Sequence, residues 1–217
     1  MNMDSARHAS DPTPTLGHSR RCLLAFALAV LSLLNGAPRV DAQVEPPAAG
    51  LDDITPAECT VAPRSEDELR VLFRQAAATP MPASLEARVT TVPPSGAAAD
   101  APTVAAVTAT WRQYLACLSA GDQARMFALL SDAMVRRQFL VDIAFGVSED
   151  ALFAYLAATP IPLLPDQTVP FAPFTDVRVL SDGRVAVVGP GEQGRGDVRI
   201  FIRKGDHWLL DDWFDMT

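Results

Sequence analysis

Lysine is almost missing from this chain of 217 residues. Lys204 stands alone against 17 arginines. Histidine and cysteine are nearly as scarce, with three of each. One lysine and arginines scattered without a basic stripe argue against a nucleic-acid partner, and the formal net charge of −8 argues the same way. So few histidines and cysteines give no zinc-type ligand pattern, so no metal is expected. No G-x-S-x-G string occurs, which leaves little room for a classical hydrolase triad. The longest apolar run, "CLLAFALAVLSLL" at Cys22 to Leu34, is too short for a bilayer that takes about 20 helical residues. No membrane span is therefore expected in the mature chain.

That apolar run has a different meaning. It follows Ser19-Arg20-Arg21 and precedes Gly36, Pro38 and "VDA" at Val40 to Ala42, the order of an export signal cleaved after Ala42. "SRRCLL" also resembles a twin-arginine signal, with Leu23 where that signal prefers Phe. Loss of residues 1–42 leaves 14 basic and 23 acidic residues, a net charge of −9. It also leaves one histidine, His207, and two cysteines, Cys59 and Cys117. An exported chain with two cysteines is read as carrying one disulfide, the alternative being two free thiols.

Residues 43–57 read as an extended leader. Ser65, with Glu68 three residues on, forms a capping box, and Leu69, Leu72 and Phe73 fall on one face. A short helix over about 66–78 follows. Proline, glycine and alanine then mark 79–102 as a linker. From Thr103, a stripe of Val104, Val107, Trp111, Leu115 and Leu118 predicts a long helix ended by Gly121. At ~100° per residue, Cys117 lies off that stripe. This places its thiol on the outer face, where Cys59 would meet it and tie the 66–78 helix to the outside of the domain. Asp122 begins another helix, "DAMVRRQFLVDIAFG" reads as a third, and Ser148 caps a fourth. Five prolines between 160 and 173 then make an apolar loop, expected to line a mouth or a dimer contact.

The remainder alternates in two hairpins, one turning at Asp182-Gly183 and the other at Lys204 to Asp206. Helices followed by antiparallel strands predict an α+β fold, with helices against one face of a curved sheet. "GPGEQG" at Gly189 to Gly194 matches a dinucleotide string, but it sits between two strands with no helix after it. It is read as a hairpin loop, as is the "RGD" at Arg195 to Asp197. No cofactor is expected.

Three features together resemble a known family. They are Trp111-Arg112-x-Tyr114 on the first helix, "CLSAGD" running into a second helix, and the closing "GDHWLL" strand. They are similar to the nuclear transport factor 2-like superfamily, its SnoaL-like members in particular, over about residues 103–217. The upstream "ECTVAPRSEDEL" looks like an element found before such domains in exported bacterial proteins. The resemblance implies a cone of helices wrapped by a bent sheet, with a pocket between. It does not choose a function, because members include isomerases, dehydratases, hydrolases and binding modules.

In a strand, Trp208, Leu210, Asp212 and Phe214 share one face. The resemblance turns the Trp208 and Leu210 face inward. Asp212 would then point into the pocket as a candidate acid or base, the alternative being a pairing with an arginine or a place at the solvated end of the sheet. Trp111, Tyr114, Trp208 and Phe214 are the candidate ligand-binding residues. His207, beside a turn, reads as a surface residue. The expectation is an exported non-catalytic domain that binds a small apolar molecule or a protein partner. An isomerase, dehydratase or hydrolase using Asp212 is the alternative, and a homodimerising accessory module is a third.

Overall fold

A computed structural model describes residues 54–80, 89, 90, 92, 94–164, 167, 171–190 and 196–216. All of them belong to one compact unit, Pro47–Thr217. The segment read as an export signal with its cleavage point, most of the one read as a leader, the centre of the proline-rich segment, and residues 191–195 with Arg195 of the RGD lie outside the described residues.

The chain is α+β, with the helices first. A 3-10 turn at Pro56–Glu58 precedes α1, Glu66–Ala77. Ser65 caps α1 as its spacing predicts: Ser65 Oγ accepts from the Glu68 N–H, and the Glu68 carboxylate accepts from the Ser65 N–H. Then come α2 (Ala101–Ser119), α3 (Gln123–Ala128), α4 (Asp132–Ala144) and α5 (Glu149–Leu156). Asp100, Asp122, Ser131 and Ser148 cap these four through their side chains.

The helix α1 does not ride on the outside of the domain. Its Leu69, Leu72, Phe73 and Ala76 are buried in the main core. Phe73 meets Phe139 of α4 at 5.6 Å and Phe153 of α5 at 6.4 Å, while Arg70 lies over the Phe153 ring and pairs with Glu149. A 12-residue helix is marginal by itself, and this packing supplies what its length does not.

The described residues form six strands, β1 (Val89–Thr90), β2 (Ala97–Ala98), β3 (Asp176–Val179), β4 (Val185–Pro190), β5 (Gly196–Lys204) and β6 (His207–Met216). They make one sheet in the order β1-β6-β5-β4-β3-β2. From β2 to β6 the pairing is antiparallel, and β1 adds to β6 in parallel. The segment read as a linker thus supplies both edge strands. Each is two residues long, too short to show a period. The turns expected at Asp182-Gly183 and at Lys204 to Asp206 are present, with Gly183 and Gly205 at φ of 82° and 62°.

One face of the sheet, bearing Val185, Val187, Phe201 and Leu210, packs into the main core with α2. The opposite face carries Ala186, Val198 and Ile200, joined by Val188, Phe214 and Met216. The pairing of β5 with β6 shifts between Ile200 and Phe201: Phe201 opposes Leu210, but Ile200 opposes Asp212. Asp211 is therefore the extra residue of a β-bulge, and it reverses the alternation along β6. Trp208 and Leu210 face inward, as expected. Beyond the bulge Trp213 faces inward, and Asp212 and Phe214 face the other side.

Candidate functional site

Cys59 and Cys117 form a disulfide across 58 residues of sequence. Cys117 does lie off the stripe of α2, but it is not on an outer surface. It is fully buried, and Cys59 nearly so. The reason is that residues 55–62 lie along α2 as a second cover: Gln113 Nε2 donates to the Glu58 carbonyl at 2.7 Å, and Arg112 pairs with Glu58. α2 is buried on two sides, which a single apolar stripe does not reveal. A disulfide is compatible with an exported protein. Among the described residues no helix is long and apolar enough to cross a membrane.

The bulge moves Asp212 away from the place the sequence assigned to it. Its Oδ1 accepts from Arg137 Nη1 of α4 at 2.5 Å and from the Trp213 N–H at 2.9 Å. This is the arginine pairing weighed above as the alternative. Nor do the four candidate ligand-binding residues converge. Trp111 and Tyr114 stack at 5.0 Å and 12° on the inner side. Trp208 is half-buried farther along β6, where its carbonyl accepts from Thr110 Oγ1 at 3.3 Å. Phe214 belongs to the opposite face. His207 is exposed beside its turn.

A different polar centre occupies the inner face. Asp197 and Arg199 of β5 are 2% and 5% exposed, and Arg199 Nη2 donates to Asp197 Oδ2 at 2.5 Å. The guanidinium lies 4.0 Å from the Trp111 ring centre, 4.9 Å from Trp213 and 5.9 Å from Phe174. Trp213 meets Trp111 edge-on at 5.5 Å. Burial pushes the Asp197 carboxyl up to about 6; Arg199 opposes the shift, and the like charge of Asp215 adds to it. Burial also raises Tyr114 to about 12, with Arg199 pulling the other way, and lowers Arg199 itself. Among the described residues no group of three or more metal-ligating side chains is gathered.

Space for a ligand lies elsewhere. A broad groove of about 1110 Å³ runs between the Thr60–Arg64 segment with α1, one side of α2, and the turn from β5 into β6. Val71, Leu72, Leu209 and Trp208 give it apolar wall, and Gln75, Thr110 and Gln113 give it neutral polar groups. At one end Asp132 is held by Arg64 at 2.7 Å and Lys204 at 3.6 Å. Burial of Asp132 pushes its carboxyl up, but the hydrogen bonds and charges of Arg64 and Lys204 together outweigh this and hold it below its usual range. Of the four candidate binding residues, Trp208 is the one that lines this groove. The wall built by the cystine-tethered segment was not apparent in the sequence, because residues 60–75 and 204–209 meet only through the fold.

No family model, curated protein or solved structure matches the chain.

Proposed function

We propose that this protein is an exported, non-catalytic binding domain of the nuclear transport factor 2-like, SnoaL-like kind, with the cone shape of that superfamily. Its ligand is a small amphipathic molecule seated in the groove between α1, α2 and the β5–β6 turn. One observation carries the reading: the groove of about 1110 Å³ joins an apolar wall of Val71, Leu72, Trp208 and Leu209 to polar groups, neutral ones at Thr110 and Gln113 and charged ones at Asp132, Arg136 and Lys204. Such a surface gives affinity through area and orientation through a few polar contacts. The family assignment draws support from the order of helices before antiparallel strands and from the long helix α2 against the inner sheet face.

A catalytic reading has one observation in its favour. Asp197, with its carboxyl raised to about 6, lies on the same inner face as Tyr114 and Trp111. It stands as the candidate acid or base on the inner face, the role the resemblance implies for Asp212. Binding of an anilinonaphthalene sulfonate probe separates the two readings. Trp208→Ala is expected to weaken probe binding by at least roughly tenfold, the loss of one large aromatic contact, and Asp197→Asn to leave it unchanged. Equal probe binding by wild type and Trp208→Ala would remove the groove from consideration.

A further inference from the structure

Asp197 and Arg199 sit on the inner face because β5 alternates, sending Val198 and Ile200 to the other side. Their contact is incomplete. One carboxylate oxygen and one guanidinium nitrogen are joined, Asp197 Oδ1 and Arg199 Nε are buried outside any hydrogen bond of normal geometry, and the Trp213 side chain beside the carboxylate favours its ionised form. A buried ion pair that leaves polar atoms unsatisfied is held at a cost. Two other features hold the guanidinium in place. The rings of Trp111, Trp213 and Phe174 surround it. Gly189 of β4 makes room for it, since a Cβ there would lie 2.5 Å from Arg199 Nη1 and 3.5 Å from Asp197 Oδ1.

The charged and titratable groups facing Asp197 can be named from each side. Arg199 lies on its own strand and Asp215 opposes it on β6, while from α2 Tyr114 faces the partner guanidinium of Arg199. On the β4 side its partner is Gly189, which brings no charge.

We propose that Asp197 and Arg199 form a proton-operated latch between the inner face of the sheet and α2. The ionised carboxylate anchors the guanidinium in its aromatic cage. A proton taken from solvent onto the Asp197 carboxylate neutralises it. Arg199 is then left without a counter-charge and shifts from between Trp111 and Trp213. The elevated carboxyl, about 6, puts this event in mildly acidic surroundings. It does not depend on what the groove binds.

Tryptophan fluorescence of the unliganded protein tests the latch. The protein carries His207→Gln, which removes the imidazole beside Trp208 as a source of signal. Between pH 4.5 and 8, emission is expected to change in one single-proton step near pH 6, with far-ultraviolet circular dichroism constant. Asp197→Asn should abolish the step. Asp215→Asn, at an exposed position, should lower its midpoint by about half a pH unit by removing a like charge. This second variant keeps the test decisive if Asp197→Asn does not fold. A flat emission profile, an unchanged step in Asp197→Asn, or an unmoved midpoint in Asp215→Asn would each overturn the proposal.

Discussion

Removing the Cys59–Cys117 bridge, by Cys59→Ala with Cys117→Ala, should cost the protein much of its stability. The bridge closes a loop of 58 residues, which contains the whole of α1 and most of α2. On chain entropy alone a loop of that length is worth about 4 kcal/mol. The sulfurs are buried, so two alanines would also leave a small void beside Ala116 and the 55–62 segment. In a domain of this size each kcal/mol moves the melting midpoint by ~2–4 °C, so a fall of about 8–16 °C is expected. Urea unfolding of oxidised wild type, reduced wild type and the double variant measures this directly. Reduced wild type should lie close to the variant. The reasoning fails if the double variant stays within about 1 kcal/mol of oxidised wild type, or if both thiols of the native oxidised protein can be alkylated before it unfolds.

Other perturbations have equally definite outcomes. Asp212→Ala strands Arg137 and the Trp213 N–H, and should destabilise by ~1–3 kcal/mol in urea unfolding without changing probe binding. Gly189→Ala forces a methyl group toward a guanidinium that three rings hold in place, and should cost ~1–3 kcal/mol in the same assay. The pH dependence follows from Asp197, whose carboxyl rises from 3.8 to about 6 on folding. The folded chain therefore holds that proton more tightly than the unfolded chain. Relative to Asp197→Asn, wild type should lose stability as pH rises from about 4 to about 6, by up to ~3 kcal/mol. A difference between the two that stays constant over this range would contradict the assigned shift.

Features that act within a few residues are legible in the sequence. Ser65 with Glu68, the caps at Asp122 and Ser148, and the Asp182-Gly183 turn all act within a few residues, and each is where its spacing placed it. The failures come from register and from contacts made through the fold. Counting alternate residues along "HWLLDDWFDM" sends Asp212 inward, and one extra residue at Asp211 sends it out again. No feature of two adjacent aspartates announces that bulge. Along β5 the apolar set Val198 and Ile200 looks like the core face, yet the buried pair Asp197 and Arg199 lies on the face toward α2, because tryptophans there accept a guanidinium. The signal available was Arg199 sharing a face with Phe201, a charge among residues destined for burial. Likewise, Cys117 was placed correctly relative to its helix and wrongly relative to solvent. The cover is a segment 55 residues earlier in the chain, fixed by Gln113 and Arg112.

The central claim is that the groove beside Trp208 holds a small amphipathic ligand. Native mass spectrometry of the protein purified from its own host tests it most directly. The account predicts a reproducible added mass of a few hundred daltons on wild type, absent or much reduced in Trp208→Ala and retained in Asp212→Asn. An added mass kept by Trp208→Ala and lost with Asp197→Asn would place the ligand at the inner face of the sheet and contradict it.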